Sequence, residues 1–345
     1  MLKNRQWLLH KRPDGALTAE HMQFHVAALA EVLRPGEILL RTLLLHFAPT
    51  IRNWMNDRSE AEQQNTLYPY MALGQPVLGP TISQVIASEN PNYPRGTVLF
   101  NVSGWQDYAI INPDAGHPVA VIPPEVDLAQ SLSVLGPNGL AAYFGLEKIG
   151  KPAAGETVVV SGAAGSTGSV AAQIAKLKGC RVIGIAGGPQ KCRWLTETLG
   201  LDAAIDYKSE SVQDRLAVLA PGGVDVFFDN VGGDTLSAVV ENIAVHGRIA
   251  LCGQIATYNE NGRTAAPLNV MRLVYWRARI EGFIMSDWWA EIPAARAQLT
   301  QWIGQGKLLH REDIRTGFEN IPAVFNELFA GTNEGTLLLQ LAARE

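Results

Sequence analysis

Apolar and polar positions change rhythm partway along the chain. Up to about residue 125 the apolar runs are short and alternating, and Pro and Gly interrupt them. In HMQFHV (21–26), Met22, Phe24 and Val26 alternate with His21, Gln23 and His25, which predicts a strand with both histidines facing outward. EILLRTLLLHF, TISQVIAS and TVLFNV predict further strands, bounded by turn signals such as Arg34-Pro35-Gly36 and Asn90-Pro91. The expectation is a β-rich, barrel-like domain over 1–125. From about 126, strands alternate with helices. TVVVSG is a continuous apolar run of the kind a buried parallel strand needs. SVAAQIAKLKG then reads as a helix with Val170, Ile174 and Leu177 on its apolar face and Gly179 as its stop. RVIGIA, KCRWLTETLG, AAIDY, VQDRLAVLA, VDVFFDNVGG, TLSAVVENI, RIALCGQI and RIEGFIM continue the alternation. That pattern predicts an α/β, doubly wound parallel sheet over 126–290. The segment 291–345 carries two helical stretches and the strand TLLLQLA, and is expected to return to the first domain.

Composition narrows the class. The chain has 345 residues, 47% hydrophobic and 18% charged, which suits a two-domain globular protein and excludes a largely disordered one. Lys plus Arg number 28 against 33 Asp plus Glu, a diffuse net charge of −5 that argues against a nucleic-acid or anionic-membrane surface. No apolar run approaches the roughly 18 to 20 residues that span a bilayer; Ile38–Leu45 is broken by Arg41 and Thr42. The N-terminal stretch lacks the pattern of a secretory signal, so the expected location is cytoplasmic.

The first chemical signal lies between TVVVSG and its helix, in Gly162-Ala163-Ala164-Gly165-Ser166-Thr167-Gly168. Glycines there permit a tight turn and close approach of the backbone to a pyrophosphate, and the helix N-terminus supplies N–H groups and partial positive charge. The position, after a buried strand and opening a helix, favours dinucleotide binding over a bland turn. No Lys-Ser/Thr follows the last glycine, which excludes a Walker-type loop. The second strand ends Ile185-Ala186-Gly187-Gly188 without the acid that usually bonds an NAD ribose, and Lys191 and Arg193 follow closely. A missing carboxylate and a nearby cation both favour the 2′-phosphate of NADP.

Zinc is the second question. Cys180, Cys192 and Cys252 are the only cysteines, all in the second half, with no CxxC. His21 and His25 are expected on a strand rather than clamping a metal from a helix. A metal site is therefore not expected, and reactions needing only hydride delivery and one proton are favoured over alcohol oxidation through a metal alkoxide.

The ordered set SGAAGSTGSVAAQIAKLKGCRVIGIAGGPQKC, AAIDYKSE, VDVFFDNVGG, IALCGQIATYN, RIEGFIMSD and GTNEGT resembles the zinc-independent medium-chain dehydrogenase/reductases. Within them it is most similar to the NADPH-dependent double-bond reductases: prostaglandin, alkenal and curcumin reductases. The resemblance runs from about Trp7 to Leu341. It implies a Rossmann domain beside a GroES-like domain. It also implies that Gly165, Ser166, Thr167 and Gly168 hold the pyrophosphate, that Gly187 lies beside the adenosine ribose, and that Lys191 and Tyr207 contact the 2′-phosphate. Asn230, the stretch Cys252, Gly253, Gln254, Ile255 and on to Tyr258, then Phe283, Ile284 and Met285, and Asn333 match positions lining the cofactor and its nicotinamide end. Tyr258 matches a tyrosine near the substrate carbonyl. Two departures stand out: Ala48-Pro49-Thr50-Ile51-Arg52 where the family has Asp-Pro-Tyr-Met-Arg, and Asn333-Glu334-Gly335-Thr336 where it has Asn-x-Gly-Lys.

The expected activity is NADPH-dependent reduction of the carbon–carbon double bond of an enone or enal. Hydride goes to the β-carbon, and the Tyr258 hydroxyl and the nicotinamide ribose hydroxyl are the candidate donors to the carbonyl oxygen as charge develops there. Quinone reduction and cofactor binding without turnover are the alternatives. The strand RIEGFIM, if it is a sheet edge, allows pairing across a two-fold axis, so a homodimer is expected.

Overall fold

β1 (Leu2–Leu9) and β2 (Met22–Leu29) pair antiparallel as a two-stranded sheet in the computed structural model, which describes residues 1–29, 32–65, 69–260 and 267–344. β3 (Ile38–His46), α1 (Ile51–Trp54), α2 (Glu60–Asn65), β4 (Thr81–Ser88), β5 (Val98–Asn101), β6 (Tyr108–Ile111), β7 (Ala120–Val121) and α3 (Leu128–Leu132) follow. The next stretch holds α4 (Pro137–Phe144), β8 (Thr157–Ser161), α5 (Ser166–Leu177), β9 (Arg181–Ala186), α6 (Pro189–Arg193), β10 (Ala203–Asp206) and α7 (Val212–Leu219). It continues with β11 (Val224–Asp229), α8 (Gly233–Glu241), β12 (Ile243–Leu251), α9 (Val270–Trp276), β13 (Arg279–Gly282) and α10 (Ile292–Gly304). β14 (Glu312–Thr316), α11 (Ile321–Ala330) and β15 (Thr336–Gln340) close the chain.

The chain divides into two units, 1–132 with 312–345, and 133–311. These divisions fall later than the 125/126 and 290/291 expected from the sequence pattern. Helix α10 belongs to the second unit, where it packs on α4 and Arg296 Nε donates to the Leu135 carbonyl at 3.0 Å.

In the first unit a seven-stranded sheet runs β14-β15-β3-β4-β5-β7, with β6 also paired to β3. Its core includes Phe47, Trp105 and Phe325, whose rings meet edge-on or tilted, with centroids 5.8 Å (Phe47–Trp105) and 5.3 Å (Trp105–Phe325) apart. His21 departs from expectation. It ends the 3₁₀ turn Ala19–His21 ahead of β2, is buried, and accepts the Thr18 N–H on Nδ1 at 3.0 Å, whereas His25 is exposed as expected. A local side-chain-to-backbone bond outweighs the alternation there. Arg52 is fully buried and donates to the carbonyls of Pro13 and Gly15, so it holds the loop between β1 and β2.

The second unit is a six-stranded, all-parallel sheet in the order β10-β9-β8-β11-β12-β13, the Rossmann order. Val158, Val159 and Val160 of β8 are all fully buried, as a strand covered on both faces requires. Val159, Ile183, Ile205, Phe227 and Ile249 share one core cluster with Leu216 of α7 and Val239 of α8. Leu177, expected on the apolar face of α5, is instead exposed at its last turn. No helix among the described residues is long and apolar enough to cross a membrane.

Candidate active site

The strand order places β8 and β11 side by side at the point where the sheet's connections reverse direction, and in such sheets the crevice outside the carboxyl ends of the strands receives ligands. Every residue that the sequence assigned to the cofactor in this unit follows the end of one of these six strands. Gly165–Gly168 follow β8, Gly187 and Lys191 follow β9, Tyr207 follows β10, Asn230 follows β11, Cys252–Tyr258 follow β12, and Phe283–Met285 follow β13. Asn333 lies in the other unit just before β15, where its Nδ2 donates to the Gly335 carbonyl at 2.9 Å.

The turn after β8 is shaped for an anion. Gly165 is the N-cap of α5 and offers no side-chain cap, and no acidic residue stands in the first turn, so the first N–H groups point outward under a positive helix end. A Cβ on Gly168 would overlap the carbonyl of Gly162, so only glycine lets the helix seat this close to the turn. Gly162 itself has φ +57°. Ser166 Oγ accepts from Asn138 Nδ2 at 2.7 Å, and Thr167 is half-buried beside it. The backbone thus fits a pyrophosphate.

One buried carboxylate organises the middle of the crevice. Asp229 Oδ1 accepts the Ser161 hydroxyl at 2.7 Å and the Val231 N–H at 2.9 Å, and Gly232 N donates to both of its oxygens at 3.1 Å. Burial pushes the Asp229 carboxyl above its usual range against the pull of those donors. Ser161 Oγ also accepts the Asn230 N–H at 2.8 Å, and Asn230 Nδ2 donates to the Ser161 carbonyl at 2.7 Å. The next loop is clamped to the same turn by its backbone. Cys252 N and Gly253 N donate to the Asp229 carbonyl, Ile255 N to that of Asn230, and Ala256 N to that of Val231. Burial, and secondarily the Asp229 charge, push the Cys252 thiol up to about 12.

Tyr258 is buried, and its phenolic oxygen accepts the Gln254 N–H at 3.1 Å. A Cβ on Gly253 would stand 2.9 Å from that oxygen, so glycine there lets the hydroxyl rest on its own loop. The Phe283 ring stands 6.2 Å from Phe228 and from Trp288, while Ile284 and Met285 are half-buried at the start of the following turn.

At the β9–β10 end, Gly188 N donates to Asp206 Oδ1 at 2.8 Å, and a Cβ on Gly187 would press on the Tyr207 ring. Lys191 is half-buried, and its pKa is lowered first by burial and then by Lys208 and Arg311. Arg193 is exposed on α6. Sequence reasoning missed Ser161 and Asp229. Both end strands that the sequence marks, TVVVSG and VDVFFDNVGG, but they stand 68 residues apart and nothing in local spacing links them. Among the described residues no group of three or more His, Cys, Asp or Glu side chains is placed to hold a metal ion.

Fold and crevice together define a medium-chain dehydrogenase/reductase. Residues 166–301 match the family described as "Zinc-binding dehydrogenase" and residues 5–119 match "N-terminal domain of oxidoreductase". The chain is 37% identical to the NADPH-dependent curcumin reductase of Escherichia coli (strain K12), over 99% of this chain and 97% of that one. It is 34% identical to prostaglandin reductase 1 of Rattus norvegicus, over 99% of this chain and 100% of that one. The crystal structure of CurA in complex with NADPH from Vibrio vulnificus superposes with a TM-score of 0.89 at 35% identity, covering 98% of this chain and 99% of that one. The chain belongs to this family, in its double-bond reductase group.

Proposed function

We propose that the protein uses NADPH to reduce the carbon–carbon double bond of α,β-unsaturated ketones and aldehydes. The observation that carries this reading is the crevice itself: an anion-shaped turn after β8, a cationic and acid-free Gly187–Lys191 stretch after β9, and a buried tyrosine hydroxyl after β12. When bound, the cofactor supplies a hydride for the carbon β to the carbonyl. The chain's own residues do the rest. Gly165–Gly168 bind phosphate through backbone N–H groups, and Lys191 and Tyr207 contact the adenosine 2′-phosphate. Asn230, Cys252, Gly253, Gln254, Ile255 and Phe283–Met285 line the reducing end, and Asn333 is assigned to the cofactor as well. The Tyr258 hydroxyl donates to the carbonyl oxygen, a bond that strengthens as negative charge develops there. The α-carbon then takes a proton from Tyr258 or water.

The relatives named for curcumin and prostaglandin reduction support this chemistry. The departure at Thr50, where the family has tyrosine, leaves the identity of the enone open to experiment. We also propose a homodimer: β13 is the edge strand of the parallel sheet, and nearby α9 exposes Val270, Met271, Val274 and Tyr275.

The deciding measurement is cofactor oxidation with enals, enones, diaryl dienones and quinones, with NADH in parallel. Consumption of NADPH with enones and enals is the expected result. Consumption with quinones alone would assign the wrong bond, and binding without consumption would remove catalysis.

A further inference from the structure

The loop that carries Tyr258 folds back on itself. Cys252 N and Gly253 N donate to the Asp229 carbonyl at 2.8 and 3.1 Å, which ties the start of the loop to the end of β11. The Gln254 peptide is then held from both sides. Its carbonyl accepts the Thr257 N–H at 2.9 Å and the Thr257 hydroxyl at 3.0 Å, and its N–H donates to the Tyr258 phenolic oxygen at 3.1 Å. Thr257 and Tyr258 are both buried. A Cβ on Gly253 would stand 2.9 Å from that phenolic oxygen, whereas the next nearest atoms are the Asn230 carbonyl oxygen at 3.5 Å and the ring carbon bearing the hydroxyl at 4.0 Å. The Gly253 backbone lies outside the left-handed region, so alanine there meets no strain in the chain itself. The atom in its way is the Tyr258 hydroxyl oxygen.

Turn geometry and backbone packing therefore do not require this glycine, but the placement of the hydroxyl does. When a phenol shares or gives up its proton, negative charge grows on its own oxygen. An N–H already aimed at that oxygen then becomes a charge-assisted donor, roughly twice as strong as a neutral one. Such a bond strengthens as the reaction proceeds and needs no reorganisation, so it favours the transition state over the ground state. We propose, on the reading of Tyr258 as the carbonyl donor, that Gly253 is a positioning residue: its missing side chain keeps the Tyr258 hydroxyl on the Gln254 N–H. That amide, fixed by Thr257, stabilises the charge that develops on the tyrosine oxygen. Where the tyrosine proton passes to the α-carbon, the phenolate left behind takes a proton back from water.

Gly253→Ala, Tyr258→Phe and the double variant test this in the full chain, with the enones and enals of the panel above as substrates. Gly253→Ala should lower kcat about 10-fold. Its affinity for NADPH, read by fluorescence titration, should stay within about twofold and its melting transition should be unchanged, because the tip of a side chain shifts more easily than backbone. In the Tyr258→Phe background the same alanine should change kcat by less than about twofold, since no oxygen stands where its Cβ arrives. Hydrogen exchange at the Gln254 amide of the resting protein should quicken about threefold to tenfold in Tyr258→Phe, the net worth of one hydrogen bond. Wild type inert toward the whole panel, or Tyr258→Phe as fast as wild type, overturns the reading of the reaction and this inference with it. A slow Tyr258→Phe beside a Gly253→Ala of wild-type turnover overturns the inference alone. Losses that multiply in the double variant, or a Gly253→Ala that melts early or holds NADPH poorly, assign the glycine to the loop's structure and also overturn it. Unchanged exchange at Gln254 in Tyr258→Phe removes the amide from the mechanism and does the same.

Discussion

The Ser161 hydroxyl donates to the buried Asp229 carboxylate at 2.7 Å while accepting the Asn230 N–H at 2.8 Å, so one side chain couples the ends of β8 and β11. Ser161→Ala leaves a buried acceptor short of a donor and a turn N–H short of an acceptor. The expected loss is about 1 to 3 kcal/mol, read as a lower urea midpoint. The Michaelis constant for NADPH should rise as well, because the Asn230 turn faces the crevice. An unchanged midpoint would show that the coupling contributes nothing.

Tyr258→Phe removes the proposed donor to the carbonyl oxygen but keeps the ring in its packed position. The turnover number should fall about 10- to 100-fold, with NADPH binding unchanged, because in the proposed reaction positioning of the alkene and hydride donor should supply most of the rate. Complete loss of activity in a variant that melts normally would contradict that division of labour.

Lys191 should set an alkaline limit on NADPH binding. Its pKa is lowered from the usual 10.5, so on the folded protein it gives up its proton earlier than an exposed lysine. A phosphate dianion favours the charged lysine. NADPH affinity should therefore be strongest above about pH 6, where the phosphate is doubly ionised, and should fall as pH rises through the lowered Lys191 value. Lys191→Arg, which does not titrate in this range, should flatten the alkaline limb in binding titrations. An identical limb in that variant would remove Lys191 as its source.

A second copy on the β13 edge should be visible by light scattering as twice the 37.3 kDa chain mass. Val274 is 61% exposed on α9, and Val274→Glu puts a charge on that apolar face. The variant should be monomeric at concentrations where the wild type is dimeric. A monomeric wild type would refute the assembly.

The parallel sheet was legible because its strands are buried on both faces and its helices keep a regular period, so TVVVSG, RVIGIA and VDVFFDNVGG each became a strand at the expected place. The glycine turn was legible for a related reason, since Gly168 answers to a steric demand within its own loop. His21 was misread because a Thr18 contact three residues away competes with alternation over only six residues. Arg52 gave no hint of burial, because its partners, the Pro13 and Gly15 carbonyls, are remote in sequence. α9 went unpredicted: with Val270, Met271, Val274 and Tyr275 facing outward, it lacks the one-sided pattern that marks a helix packed on a core.

All three cysteines sit above their ordinary ionisation range: Cys180 and Cys192 chiefly through burial, and Cys252 at about 12. Conjugated carbonyl compounds alkylate thiolates, so a catalyst that handles them is exposed to poisoning by its own substrates. At pH 7.4 a thiol with a pKa near 12 is ionised to roughly one part in 10⁴ to 10⁵, too little to compete with cellular thiols for the electrophile. Intact mass after prolonged incubation with an enal should show no adduct at Cys252 while added glutathione is consumed, and a Cys252 adduct would refute this. The buried carboxylate that shapes the crevice adds its charge to the effect of burial on the neighbouring thiol, and so would also spare a protein that reduces such compounds from alkylation at Cys252.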